Sequence, residues 1–386
     1  MYIWWAFNAC FIIHLLLPLF LYVLRWFRRE EIENIEVDDL ARDYAIIVTA
    51  YRQADQLPAV VESILNLNYS NFLVYVVADN CDIDTLDFGS EKVVVLRPQE
   101  VLASNTKSHF YAIRNFRRPH DMLTIVDSDN LVEREYLNQL NVFFDKGYQA
   151  VQGVRKAKNL DTLYARLDEA GDIYYRYIDR KLLFEAGSSA ALSGSGMAFY
   201  TRLYKDCLEN RQVSGAGFDK VLQYRLLKRG NRIAFAERAV VYDEKTSRSP
   251  QLVKQRSRWI NTWFRFVFLG VKLLAGAVIR ADLNQFLFGL MLLRPPLFLL
   301  LGVASALLVA NLFISQLLAF AWSFALMVFV GVFVTSLKYF RADRKIVTAL
   351  WGAPRFILFQ FFALWRARKA NQISVATEHY HGGKSV

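Results

Sequence analysis

Three stretches are apolar and long enough to cross a bilayer as helices: residues 1–27, Leu297–Phe313 and Leu317–Leu337. Backbone groups inside a bilayer have no water to bond, so such runs are committed to helix before any other choice is made. The composition agrees, with 54% hydrophobic and 15% aromatic residues in 386, more than soluble enzymes carry. The net charge of +11 suits an anionic partner. Its placement beside apolar runs favours a membrane over nucleic acid: Arg25, Arg28 and Arg29; Lys338, Arg341, Arg344 and Lys345; Arg366, Arg368 and Lys369. No nucleic-acid module is evident, and nucleic acid is not expected as a partner.

Residues 1–27 have no early basic region and no small-residue cleavage site, so they read as an anchor and not as a signal peptide. The arginines at 25–29 place the end of this helix in the cytosol. The cluster at 338–345 then falls on the same side. A multi-pass protein of the plasma (inner) membrane with a cytosolic hydrophilic domain follows. Cys10, Cys81 and Cys207 show no paired or metal-ligand spacing, which suits a reducing compartment. The domain plan is an N-terminal transmembrane helix (1–29), a linker (30–43), an α/β domain (44–249), interfacial amphipathic helices (250–296), transmembrane and interfacial helices (297–370) and a cytosolic tail (371–386). Residues 251–280 mix Arg, Lys, Trp and Phe as interfacial helices do. Residues 346–365 are broken by Gly352, Pro354 and Arg355 and read as interfacial or re-entrant. The tail carries His379 and His381; a solvated terminus is the plainer reading than a gate or an adventitious metal site.

Between the apolar ends, strand-like runs at Tyr44–Ala50, Leu73–Ala78, Lys92–Leu96, Leu123–Val126 and Ile233–Val241 alternate with helix-like segments at Gln56–Leu67, Thr106–Phe116, 160–190 and 219–229. This alternation predicts a mostly parallel sheet covered by helices. Ligands of such sheets bind at the carboxyl ends of the strands, so polar residues there carry the most weight.

Five groups of residues stand out. Asp79 follows a strand in Val76-Val77-Ala78-Asp79-Asn80-Cys81-Asp82 and is either a base or ribose acceptor or part of a turn. Asp127 and Asp129, one residue apart at a strand end, can hold a hard divalent cation whose remaining ligands are water and diphosphate; a short acidic turn is the plainer alternative. Ser193-Gly194-Ser195-Gly196 lets backbone approach a substrate, or is a flexible turn. Asp219, in Gly215-Ala216-Gly217-Phe218-Asp219, is either a helix N-cap or a general base. In Gln255-Arg256-Ser257-Arg258-Trp259, Arg258 can pair with phosphate and Trp259 can stack; both also suit a headgroup-level helix.

In this order, the groups resemble the membrane-integrated family 2 glycosyltransferases with a GT-A (Rossmann-like) catalytic domain, over about 215 residues from Tyr44 to Trp259. The likeness extends to bacterial polysaccharide synthases of the chitooligosaccharide, hyaluronan and poly-N-acetylglucosamine type. It implies that Thr49-Ala50-Tyr51-Arg52 holds the base, with Ala50 and Tyr51 at the nucleotide, and that Asp79, in a segment followed by Thr85, contacts uridine. It implies that Lys107 touches the donor and that Asp127 and Asp129 form a DxD motif for Mg²⁺ or Mn²⁺. Gly194, Ser195 and Gly196 would lie on the acceptor side, and Asp219 would be the catalytic base. Gln255, Arg258 and Trp259 would form QxxRW, with Trp259 also meeting the acceptor. Phe218 departs from the pattern, since many members carry glutamate there; Asp206 and Glu209 are poorer substitutes for the base. The activity implied is inverting transfer from a UDP-sugar to a carbohydrate or lipid acceptor. A non-catalytic scaffold would be expected to lose the metal pair, the base or QxxRW, and all three are filled.

Overall fold

The structure is a computed structural model and describes residues 1–28, 42–82, 86–209, 211 and 216–366, the side chains of Leu358 and Ala363 excepted. The linker up to residue 41, the tail, Thr85, Gly215, Arg29, Arg368 and Lys369 lie outside the described residues. In chain order the elements are α1 (Tyr2–Phe27), β1 (Tyr44–Tyr51), α2 (Leu57–Leu65), β2 (Phe72–Asp79), β3 (Val93–Leu96), α3 (Asn105–Arg114), β4 (Met122–Asp127), β5 (Leu131–Val132), α4 (Tyr136–Asp145), β6 (Ala150–Ala157), α5 (Leu163–Tyr175), α6 (Leu183–Glu185), β7 (Met197–Tyr200), α7 (Thr201–Leu208), α8 (Phe218–Lys228), β8 (Ile233–Asp243), α9 (Ser249–Arg280), α10 (Leu283–Leu293), α11 (Leu297–Ile314), α12 (Gln316–Tyr339), α13 (Arg344–Ala349) and α14 (Ala353–Arg366). They form two compact units. One is helical and holds the described parts of 1–31, 162–189 and 247–368; the other is α/β and holds those of 32–161 and 190–246.

The α/β unit is built on one eight-stranded sheet in the order β3-β2-β1-β4-β7-β6-β8-β5. β1, β2 and β4 are nearly continuous apolar runs, as strands covered on both faces must be. Four pairings are parallel and three antiparallel, so the sheet is mixed but mostly parallel, as its sequence pattern predicts. The antiparallel pairings come from β7 and β5, which are four and two residues long and too short to show a pattern in sequence. β6 has no strand signal in the sequence either, because Gln152 and Gly153 interrupt its apolar run. Both are buried for a structural reason: a Cβ on Gly153 would sit 2.5 Å from the Ala239 carbonyl oxygen.

In the helical unit, four helices among the described residues are long and apolar enough to cross a membrane: α1, α9, α11 and α12. α9 differs from the sequence reading. It is one 32-residue helix, amphipathic in its first turns and apolar beyond them, so it meets the requirements of a span as well as of an interfacial helix. The stretch at 346–365 is broken by a 3₁₀ turn at Leu350–Gly352, and α14 has 14 residues, too few to span. α5 runs into a π-helical stretch, Arg176–Leu182, two of whose cations are paired within the unit: Arg176 with Glu169 at 3.0 Å and Lys181 with Glu185 at 2.8 Å.

Three of the apolar helices are joined by amides. Asn311 on α11 donates to Asn8 Oδ1 on α1 (2.9 Å) and accepts from the indole of Trp4 (2.9 Å). Trp322 on α12 donates to the same Asn8 Oδ1 (2.7 Å). The cluster is buried among Leu15, Leu300, Ala304 and Leu307. Such bonds are among the few attractions between helices that lipid does not mimic. Asn311→Leu leaves the Trp4 indole without its partner and is expected to cost ~1–2 kcal/mol, read as faster thermal inactivation in detergent. Ser323→Ala, which removes a bond only to its own helix at Ala319, is the control expected to change little.

Candidate active site

Parallel register brings three strand ends to one edge. Tyr51 at the end of β1 pairs with Asp79 at the end of β2, and Thr49 pairs with Asp127 at the end of β4. Just past these ends, Arg52 (φ 63°), Asn80 (φ 54°) and Ala103 (φ 43°) adopt left-handed backbone without being glycine. Each costs about 1–2 kcal/mol, and such strain gathers where loops must meet a ligand. Asp79 is buried and holds this edge together. Its Oδ1 accepts from the Leu102 N–H (3.0 Å) and its Oδ2 from the Ala103 N–H (2.7 Å), while its carbonyl accepts from the Arg52 N–H (3.1 Å). These bonds make Asp79 part of a turn, and that turn shapes the strand edge. The loop it fixes leads through the N-cap Ser104 into α3, whose first turn presents Lys107 to solvent. Cys81, beside it, is buried, and burial pushes its thiol pKa up, so it stays a thiol.

The turn carrying Asp127 and Asp129 is held from the glycine loop. The Asp127 N–H donates to Ser195 Oγ at 3.1 Å, and Asn130 N–H closes the turn onto the Asp127 carbonyl at 3.1 Å. Ser195 is fully buried, so its hydroxyl serves the Asp127–Asp129 turn; Gly196 is buried beside it and Gly194 is the partly exposed glycine of the loop. Both glycines have positive φ, and a Cβ on Gly196 would lie 2.9 Å from Val241. Only glycine meets both demands at that position. The loop is further pinned by the buried Gln152 amide, which accepts from Ser193 N–H (2.9 Å) and donates to the carbonyls of Ser195 and Gly196 (3.1 and 3.2 Å). Arg155 bonds the Ser193 carbonyl (2.7 Å) and Asp243 (2.5 Å).

Asp127 and Asp129 offer hard oxygen ligands, and no group of three His, Cys, Asp or Glu side chains gathers for a metal among the described residues. Two carboxylates without a third fit a cation that takes most of its shell from water and phosphate, as Mg²⁺ and Mn²⁺ do. Beside them, a crevice lined by Gln53, Asp55, Gln56 and Ser128 links the β1 loop to the same turn.

Asp219 lies in the first turn of α8, but Gly217 occupies the N-cap position and no side chain caps the helix. The capping alternative therefore falls away. The Asp219 carboxylate is about one-fifth exposed and touches Lys220 at 3.6 Å. Phe218, where the sequence departs from the family pattern, is buried and packs edge-on against His109 of α3, centroids 5.2 Å apart. His109 Nδ1 meets the Tyr204 hydroxyl at 2.7 Å; burial lowers its pKa to about 3, so it is neutral. This aromatic contact sets α8, and with it Asp219, against the helix that carries Lys107.

Gln255, Arg258 and Trp259 lie on α9 in the helical unit, away in sequence from the sheet residues. Arg256, between them, is buried, paired with Asp168, and stacked 4.3 Å from the Trp259 ring centroid. Trp259 remains 45% exposed, so it keeps a ring surface available.

Residues 41–262 match the model of the glycosyltransferase-like family 2, more than half of the chain. The chain belongs to this family. The family 2 fold is shared with the mannosyltransferase PcManGT from Pyrobaculum calidifontis, solved with GDP-Man and Mn²⁺, at 15% identity and a TM-score of 0.55, covering 94% of this chain and 98% of that one. TarS of S. aureus, residues 1–349 in complex with UDP-GlcNAc, aligns at 16% identity and a TM-score of 0.44, over 85% and 92% of the two chains. No curated protein matches the chain.

Sequence reasoning missed Gln152, Arg155, Lys158, Glu244 and His109, because each acts through partners distant in the chain. The one local signal was a polar Gln inside an apolar strand.

Ser195→Ala removes the acceptor of a buried N–H and is expected to destabilise the α/β unit by ~1–3 kcal/mol, measured by denaturant unfolding. For His109 the unfolded pKa of 6.5 lies above the folded value of about 3. The unfolded chain then binds the extra proton, so stability is full above pH 6.5 and falls as pH drops below it, by up to ~1.4 kcal/mol per unit. His109→Gln should flatten the fall of melting temperature between pH 7 and 5.

Proposed function

We propose that this family 2 glycosyltransferase transfers a sugar from a UDP-sugar to an acceptor hydroxyl with inversion, at the cytosolic face of the plasma (inner) membrane, in cell-surface polysaccharide synthesis. The observation that carries the chemistry is the strand edge where buried Asp79 stands beside the turn of Asp127 and Asp129. A nucleotide laid across that edge would meet Ala50, Tyr51 and Asp79 with its nucleoside and the Asp127–Asp129 turn with its diphosphate. A Mg²⁺ or Mn²⁺ held by Asp127 and Asp129 supplies Lewis-acid offset of the charge on departing UDP. Asp219, free of capping duty, accepts the proton of the acceptor hydroxyl as it attacks the anomeric carbon from the face opposite UDP. The Gly194–Gly196 loop lies on the acceptor side, with Gly194 partly exposed and Ser195 and Gly196 locked behind it. Gln255 and Lys107 serve the donor, Arg258 meets phosphate and Trp259 stacks on the acceptor sugar.

A lipid acceptor is the second reading, and one observation favours it. Four polar side chains of α11 and α12 are bonded to protein: Asn311 to Asn8 and Trp4, Ser323 to Ala319, Thr335 to Gly331 and Ser336 to Phe333, while Ser305 of α11 is exposed. Side chains so occupied offer little to the lining of a sugar conduit.

Asp219→Asn is expected to cut turnover ~10²–10⁴-fold while nucleotide binding persists. The measurement is nucleotide release by protein in lipid with Mn²⁺, across UDP-sugars and GDP-mannose. Normal release by the variant would remove Asp219 as the base, and the size of the labelled product separates polymer from glycolipid.

A further inference from the structure

Three cations stand at the ends of β6 and β8, next to the site. Two share one carboxylate. Arg155 pairs with Asp243 at 2.5 Å and Lys245 pairs with the same carboxylate at 3.1 Å. Lys158, directly after β6, is different. Its ammonium donates to Gln56 Oε1 at 2.7 Å and makes no ion pair with any described carboxylate. A lysine ammonium has three donors, and a neutral amide takes only one and none of the charge.

The position of this ammonium is built. Gln56 is buried at the start of α2, and its Nε2 donates to Glu244 Oε2 at 2.8 Å. Since lysine only donates and a carboxylate only accepts, the amide can stand in one orientation, oxygen to Lys158 and nitrogen to Glu244. The Lys158 N–H also donates to the Asp243 carbonyl at 2.8 Å, extending the parallel pairing of β6 with β8. On the other side of β8, β5 pairs at Tyr242 and Val241, and β5 begins two residues after Asp129. Gln56 also lines the crevice shared with Ser128, the residue between the two aspartates. Lys158 is therefore tethered beside the Asp127–Asp129 turn, its ammonium within electrostatic reach of the Glu244, Asp129 and Asp243 carboxylates but in contact with none of them, and with donors left over.

We propose that Lys158 binds the diphosphate of the nucleotide-sugar donor, as a second positive centre beside the metal motif, positioned by Gln56 and Glu244. This rests on the donor reading given above. An ammonium contacts phosphate as a point charge through charge-assisted hydrogen bonds, the strong kind in a partly dry cleft. When the sugar departs, the same contact meets the charge released on the diphosphate.

The test is titration of the full chain in lipid, at saturating Mn²⁺, with UDP, GDP, inorganic pyrophosphate and uridine. Lys158→Met is expected to weaken the diphosphates and pyrophosphate about tenfold or more and leave uridine unchanged, while Lys158→Arg stays within about threefold of wild type. Equal affinity for UDP in Lys158→Met overturns the assignment. So does parallel weakening of UDP and uridine, since that marks a merely structural lysine. A wild-type protein that binds neither UDP nor GDP overturns the donor reading itself, and the Lys158 assignment falls with it.

Discussion

The parallel register of β1 with β2 on one side and β4 on the other is the constraint on which the site depends. It aligns Tyr51 with Asp79 and Thr49 with Asp127, so three chain segments turn away from the sheet at the same edge. The three strands are buried on both faces, and a slip by one residue would turn buried side chains such as Val48 and Val76 to the opposite face. Hydrophobic burial thus fixes where the carboxylates stand, although none of them contributes to it.

The strand edge is then stiffened by polar groups. Asp79 spends both carboxylate oxygens on the 102–103 backbone, and Ser195 spends its hydroxyl on the Asp127 N–H. The Gln152 amide ties the glycine loop to β6, and Arg155 ties it to Asp243. Asp79 also holds two of the left-handed residues, Ala103 through its carboxylate and Arg52 through its carbonyl. Because the Asp127–Asp129 turn and the glycine loop share one hydrogen bond, the two are mechanically coupled. Preorganised polar groups of this kind need no rearrangement as charge develops in the reaction.

In the helical unit, polar side chains have a different use. Asn8, Asn311, Trp4 and Trp322 satisfy one another across three helices, and the hydroxyls of Ser323, Thr335 and Ser336 return to their own backbones. These groups hold helices together where apolar packing alone cannot tell protein from lipid.

Sequence by itself determined the apolar helices and the β1–β2–β4 strands, and it marked Asp79, Asp127, Asp129 and Asp219 as candidates, because length, periodicity and residue pattern are local properties. It could not separate N-cap from base at Asp219, since capping is a matter of backbone geometry; the structure puts Gly217 at the cap. It could not show that Ser195 holds the Asp127 N–H from 68 residues away, or that Gln56 joins Lys158 to Glu244. Nor could it show that β7 enters antiparallel between β4 and β6. Those outcomes belong to the tertiary structure, because hydrogen bonds between distant segments exist only once the sheet has set their distance.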